Sequence, residues 1–265
     1  SFRNTSPSQN IILPTNLHTL SNLKELDIRD LNVAIFSNFE QLVSLEKLRL
    51  ENVLWVRIPQ GADQWPKLKS LEVSEVELRG DLPDMFRGMN SLTSIYIRET
   101  PLTTESQQHI FQSPALEELT FSFCEMGQIP DNIGNLASLK KLVIATEQNT
   151  LNHPIVLPET LKDLHQLESI YFSAGLDQFP IALLGLQNTI QSISLKDNLE
   201  SIPPEIGDFS VLKRLSLQQC GLSSLPSEIQ NLANSLENLD LRGNQLSESM
   251  QQQIREWLPE TDVRF

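Results

Sequence analysis

The chain has 265 residues, 34 of them acidic and 20 basic, for a formal net charge of −14. An anionic chain is repelled by phosphate backbones and by anionic lipid, which argues against general nucleic-acid binding and membrane adsorption. The 2 cysteines cannot build a disulfide framework, and no apolar run reaches the ~18–20 residues that a membrane helix needs.

Ser1-Phe2-Arg3-Asn4 carries neither Met nor a leader pattern. Asn4-Thr5-Ser6 is a lone glycosylation sequon. Leu13-Pro14, Leu17 and Leu20 look like the second half of a repeat, so residues 1–22 are read as a partial first unit. Either the natural chain continues upstream, or Ser1–Ile12 folds over an open edge.

From Leu23 onward one spacing governs everything. The pattern L-x-x-L-x-L, with Ile, Val or Phe allowed for Leu, starts at Leu23, Leu45, Leu68, Leu92, Leu116, Leu139, Leu167, Ile190, Leu212 and Leu236. Successive starts differ by 22, 23, 24, 24, 23, 28, 23, 22 and 24 residues. Such self-similarity marks a repeat architecture. In L-x-L both apolar residues leave a short strand on the same side, and the residue between them faces solvent. A second half recurs as well: Ile129-Pro130, Phe179-Pro180, Ile202-Pro203 and Leu225-Pro226 precede apolar pairs such as Ile133 and Leu136, or Ile206 and Phe209. Proline fixes φ and donates no hydrogen bond, which suits a return turn.

These residues, and above all Ile129-Pro-Asp-Asn-Ile-Gly-Asn-Leu136 and Ile202-Pro-Pro-Glu-Ile-Gly-Asp-Phe209, resemble the leucine-rich repeat family in its I-P-x-x-I-G-x-L form, common in plant and bacterial members. The resemblance runs from about Pro14 to Phe265. It implies an α/β leucine-rich repeat solenoid: a parallel concave sheet, an irregular or 3-10 convex side, about ten units of 22–24 residues, and a single domain over 1–265 with repeats at 23–246. In this family the ninth position of the pattern is Asn or Cys; here it holds Asn198, Asn244, Cys124 and Cys220, with Leu31, Val53, Val76 and Thr100 in earlier units. Both cysteines are read as buried and structural. At about 4.8 Å per strand they stand too far apart to pair with each other.

Two segments break the rhythm. Thr103–Ser113 is helix-like and replaces a return turn, while Ala145–Pro158, polar and bounded by proline, reads as a surface loop. At the end, Ser247 or Ser249 can cap a helix beginning near Met250. Met250, Ile254, Trp257 and Leu258 share one face of it. Val263 and Phe265 add an extended end, so 247–265 is the cap. Trp55 and Trp65 read as packing residues.

Catalytic motifs are missing. His18, His109, His153 and His165 form no H-E-x-x-H and no zinc spacing with cysteine, and no phosphate-binding glycine loop or G-x-S-x-G elbow occurs. The expectation is a non-enzyme without cofactor or metal.

The outward strand positions then carry the function. The column between the inward residues reads Asp27, Arg49, Glu72, Tyr96, Thr120, Val143, Tyr171, Ser194, Ser216, Asp240. A third column reads Asp30, Asn52, Glu75, Glu99, Phe123, Thr146, Ala174, Asp197, Gln219, Gly243. The early units are charged with mixed sign, whereas Tyr96, Phe123, Val143 and Tyr171 are not. Exposed aromatics on a fixed surface are binding hot-spot material, although strands favour aromatics in any case. The candidate partner-binding set is Tyr96, Arg98, Thr120, Ser122, Phe123, Val143, Tyr171, Ser173 and Lys196, with Arg98 and Lys196 placed to orient an acidic group.

The expected function is a monomeric protein–protein interaction module using its concave face, without nucleic acid or membrane insertion. Free cysteines favour a reducing, cytoplasmic site, and the resemblance extends to effectors that bacteria deliver into host cells. Two alternatives stand beside it: the substrate-recognition region of a larger enzyme such as a ubiquitin ligase, and a surface adhesin or receptor ectodomain.

Overall fold

A computed structural model of the chain describes residues 2–3, 16–31, 34–35, 41–53, 56–57, 65–76, 86, 88–126, 128–146 and 155–265. Trp55, the sequon at Asn4 and residues 147–154 of the long loop lie outside these. The chain divides into two compact units, Ser1–Leu139 and Lys140–Phe265.

The first unit holds strands β1 (Phe2–Arg3), β2 (Glu25–Leu31), β3 (Ala34–Ile35), β4 (Lys47–Val53), β5 (Val56–Arg57), β6 (Ser70–Val76), β7 (Ser94–Arg98) and β8 (Glu118–Ser122). Parallel pairing runs β1-β2-β4-β6-β7-β8, and β3 pairs with β5 on its own. The second unit holds β9 (Lys141–Ala145), β10 (Ser169–Ser173), β11 (Ser192–Leu195), β12 (Arg214–Ser216), β13 (Asn238–Asp240) and β14 (Asp262–Arg264), parallel and in that order.

Each long strand obeys the alternation in the sequence. In β4, Leu48, Leu50 and Val53 are buried and Arg49 and Glu51 lie at the surface. One such buried leucine stabilises by roughly 1.5–3 kcal/mol, and a coil gains this only by stacking on its neighbours. Register is held at strand entry by a shared acceptor. Glu46 and Lys47 both donate their N–H to Lys24 O; Lys69 and Ser70 share Glu46 O; Glu117 and Glu118 share Thr93 O. The second unit repeats this at Lys140 O, Glu168 O, Gln191 O and Lys213 O.

The return segments follow the proline rule. Pro130, Pro158, Pro180, Pro203 and Pro226 each take extended backbone and start a 3-10 turn. Their carbonyls accept from Ile133, Leu161, Leu183, Ile206 and Ile229 at 3.0–3.2 Å, and those five side chains are buried. A helix-start position needs no N–H, so proline costs nothing there. The glycine of I-P-x-x-I-G marks close approach of coils: a Cβ on Gly207 would sit 2.4 Å from Glu228 O.

The helix-like segment is α1 (Thr104–Ile110), capped by Thr103, whose hydroxyl accepts from Ser106 N. The terminal helix is α2 (Glu248–Trp257), with Ser247 rather than Ser249 accepting from Met250 N. Ile254 and Leu258 are its buried face, and β14 extends the sheet beyond it. Of the Ala145–Pro158 segment only the two ends are among the described residues, and they are built into the coils. Ala145 ends β9, and Thr146, Ile155, Leu157 and Pro158 are buried, because the chain must re-enter the stack to start the next turn.

The ninth-position ladder takes two forms. In the coils starting at Leu23, Leu45, Leu68, Leu92 and Leu116, the eighth residue has positive φ: Asp30, Asn52, Glu75, Glu99 and Phe123. The same holds for Gln219 and Gly243 in the last two coils. That left-handed residue turns outward and drops the ninth into the stack. Asn244 there makes four bonds: Oδ1 accepts from Cys220 N and Leu222 N, and Nδ2 donates to Leu217 O and Leu241 O, at 2.7–3.1 Å. Thr100 accepts from Val76 N and donates to Arg98 O. The Cys124 thiol donates to Ile97 O at 3.3 Å, and burial pushes its pKa up to about 11; burial also raises that of Cys220.

In the coils at Leu139, Leu167 and Ile190 the eighth residue has no positive φ and is itself the buried one: Thr146, Ala174 and Asp197. The expectation that these three face outward, and that Asn198 fills the ladder, is thereby corrected. Asn198 is exposed, and the Asp197 carboxylate accepts from Ala174 N at 3.2 Å and Gly175 N at 2.8 Å. A shorter turn brings the buried residue in one position early.

Candidate functional site on the strand faces

In the first unit, β2, β4 and β6 present a knitted charge network. Arg29 holds Asp27 at 2.8 Å and reaches Glu51 at 3.5 Å; Arg49 bridges Glu51 and Glu72; Lys47 meets Glu72 at 2.8 Å. The Arg29 guanidinium keeps the Asp27 carboxyl below the usual aspartate range. A partner landing on these strands would have to break ion pairs already satisfied.

The character changes at β7 and β8. Ile95 and Ile97 point inward, which throws Tyr96 outward with 37% of its surface exposed. Tyr96 lies in register with Thr120, and Arg98 with Ser122. Phe123 follows β8 directly, 45% exposed and at φ 54°. A bulky residue in the left-handed region is uncommon and costs about 1–2 kcal/mol. It persists because the Cys124 thiol must enter the stack behind it. The fold thus holds a phenyl ring out to solvent in a strained conformation. Such outliers justify a functional hypothesis. Tyr96, Arg98, Thr120, Ser122 and Phe123 are therefore brought together on one pair of strands.

Arg98 is not idle there. It pairs with Glu75 at 3.2 Å and with Glu99, both of them left-handed residues of the rim. Spacing along the strands could not show this clamp, because Glu75 and Glu99 stand in a different column from Arg98.

The second unit has its own uncharged area. Val143, Tyr171 and Ser194 stand in register across β9, β10 and β11. Tyr171 is half-buried, whereas Tyr96 is exposed. Ser173 donates to Lys196 O at 3.2 Å, and the exposed Lys196 donates its N–H to Phe172 O. Further along, Asp240 accepts from Arg242 and Gln218, and the guanidinium of Arg242 lowers its pKa.

For other chemistry the surroundings offer little. A groove beside α1 is lined by Thr104, Gln108, Gln112, Gln128, Asp131 and Asn132, a largely amide wall. Among the described residues no group of three or more His, Cys, Asp or Glu could hold a metal, and no helix is long and apolar enough to cross a membrane. Trp65 is buried, as a packing residue should be.

Comparison with known proteins agrees with this geometry. The Leucine Rich Repeat family model matches residues 211–232 and 235–257. The volume-regulated anion channel subunit LRRC8B of Homo sapiens is 29% identical over 220 residues, covering 79% of this chain and 23% of that protein. The chain thus spans about a quarter of that relative's length. Among solved structures, a leucine-rich repeat protein of Leptospira interrogans is 24% identical with a TM-score of 0.60, over 96% of this chain and 75% of that one. A chain in the Drosophila Toll–Spatzle complex gives a TM-score of 0.71 at 21% identity, over 95% of this chain and 35% of that one. The coils are leucine-rich repeats, and the fold is the parallel-stranded fold of such proteins.

Proposed function

We propose that this leucine-rich repeat chain is a non-catalytic, monomeric recognition module that binds a protein through its outward strand residues. The observation that carries the reading is the exposed pair Tyr96 and Phe123, the second at positive φ, beside strands whose charges satisfy one another. Val143 and Tyr171 offer a weaker patch on the second unit. Aromatic anchors dominate binding energy because they desolvate a large rigid area at low entropic cost. The two buried free thiols support a reducing compartment. Delivery into a host cell is the finer form of this reading, and the I-P-x-x-I-G-x-L resemblance is its support.

A second reading, a repeat segment working inside a larger membrane assembly, is supported by the match to about a quarter of the anion channel subunit. The gene length and flanking apolar segments separate the two.

The test is affinity capture from cell lysates followed by titration of the captured protein. Replacing Tyr96, Phe123 and Tyr171 together by Ala should weaken binding by about 2 kcal/mol or more while melting stays within a few degrees. Unchanged affinity in a folded triple variant removes the strand faces from the mechanism.

A further inference from the structure

We infer that the partner of the first unit's aromatic patch presents basic side chains, lysine or arginine, along the strip from Tyr96 to Phe123, which has Glu118 at one end and Glu75 and Glu99 at the other. The inference rests on the strand-face reading and adds the chemistry of the partner.

The argument begins with Arg98. A lone guanidinium on the strand face would attract an acidic group, as the sequence leads one to expect. Here Glu75 and Glu99 both hold it, so two carboxylates answer one cation and the clamp carries net negative charge. Glu118 adds another carboxylate. It opens β8 on the same side as Thr120, and Thr120 stands opposite Tyr96. Diagonal positions on neighbouring strands lie ~7–8 Å apart, within reach of a long side chain. Glu99 and Phe123 occupy the same rim position in successive coils, one strand spacing of about 4.8 Å apart. The aromatic strip is therefore bordered by carboxylates, and Arg98, the only cation on β7, β8 and their described rim residues, is already paired.

A cation within ~6 Å of a tyrosine or phenylalanine ring is attracted by the ring quadrupole. Partial desolvation at an interface strengthens that attraction and the ion pair beside it together. An acidic partner group meets the opposite field, consistent with the chain's net charge of −14. A neutral apolar partner gains the rings but leaves the carboxylates to be desolvated without compensation.

The probe is a phage library of random 12-residue peptides, panned on the full chain and in parallel on the Tyr96→Ser/Phe123→Asn variant. That variant keeps the formal charge, so non-specific attraction of basic peptides is equal on both baits. A melting temperature at or slightly above that of the native chain confirms that it folds. The expected pool on the native chain is at least threefold richer in Lys and Arg than the pool on the variant. For the best such peptide, Arg98→Gln should tighten binding about threefold by releasing the carboxylates, and Glu99→Gln should weaken it about threefold. Pools that differ between baits but are acidic or uncharged, or an Arg98→Gln change that weakens binding, overturn this inference and leave the strand-face reading standing. Indistinguishable pools overturn both.

Discussion

The coils of the first unit and the opening coils of the second differ by one residue after the strand, and that residue decides what the surface can show. Where the turn is long, a left-handed residue stands outward, and Asp30, Glu75, Glu99 and Phe123 are displayed along the rim. Where it is short, the same position turns inward, and Thr146, Ala174 and Asp197 vanish into the stack. The long turn costs backbone strain in every non-glycine residue that occupies it. The short turn avoids the strain and loses a display position. Outward display positions therefore concentrate on long-turn coils, which is where the most exposed aromatic of the candidate set stands.

The difference between the ladders can be broken directly. Asn244 bridges four backbone groups in a long coil, while the Asp197 carboxylate accepts from Ala174 N and Gly175 N in a short one. Asn244→Ala should lower unfolding free energy by about 3 kcal/mol, and Asp197→Ala by about half as much, since each buried group left unpaired costs ~1–3 kcal/mol before water enters. Urea titration of both variants measures the ratio; equal losses would erase the distinction.

Strain offers the next lever. Phe123→Gly relieves the left-handed phenylalanine and should raise stability by about 0.5–1 kcal/mol, the relief being partly offset by the freer unfolded chain. The same substitution should weaken partner binding, so the two measurements move in opposite directions.

Length itself can be tested. Inserting one glycine between Lys196 and Asp197 converts that short coil into the long type, with glycine at the left-handed position and Asp197 still facing Ala174 and Gly175. Stability should change by less than about 1 kcal/mol. A glycine inserted between Ile193 and Ser194, inside β11, should instead flip the rest of the strand and cost far more.

The smallest effect is electrostatic. Arg29 holds the Asp27 carboxyl below its ordinary range, so the folded state binds fewer protons than the unfolded chain. The resulting stability is present above the unfolded value of about 3.9 and is lost as pH falls through the folded one. Asp27→Asn should flatten the acid limb below about pH 4 and cost about 0.5 kcal/mol near neutrality, where such partly exposed pairs are weak. Acid titration followed by circular dichroism reads both.

The repeat was legible because burial of L-x-x-L-x-L has a period that nothing but stacked coils can satisfy. The terminal cap was legible as Ser247 or Ser249, since either stands where orphan N–H groups need an acceptor, and the structure selects Ser247. The short turns were missed, though a signal existed. Leu222 and Leu246 follow the last strand leucine of their coils, Leu217 and Leu241, by five residues, while Leu199 follows Leu195 by four. The exposure of Tyr96 and Phe123 follows from column position. The engagement of Arg98 does not, because a clamp between columns depends on the left-handed geometry of Glu75 and Glu99, which side-chain alternation does not encode.

The shared carbonyl at each strand entry has an evolutionary consequence. Within each unit a coil's entry carbonyl receives two N–H groups from the next coil, at Lys24, Glu46, Lys69 and Thr93 and again at Lys140, Glu168, Gln191 and Lys213, so these junctions are chemically the same joint. A duplicated coil arrives with its acceptor and donors already matched to its neighbours. Such a chain can lengthen or shorten by whole coils through unequal recombination without a new joint having to be invented, and its reach becomes a quantity that selection can count in steps.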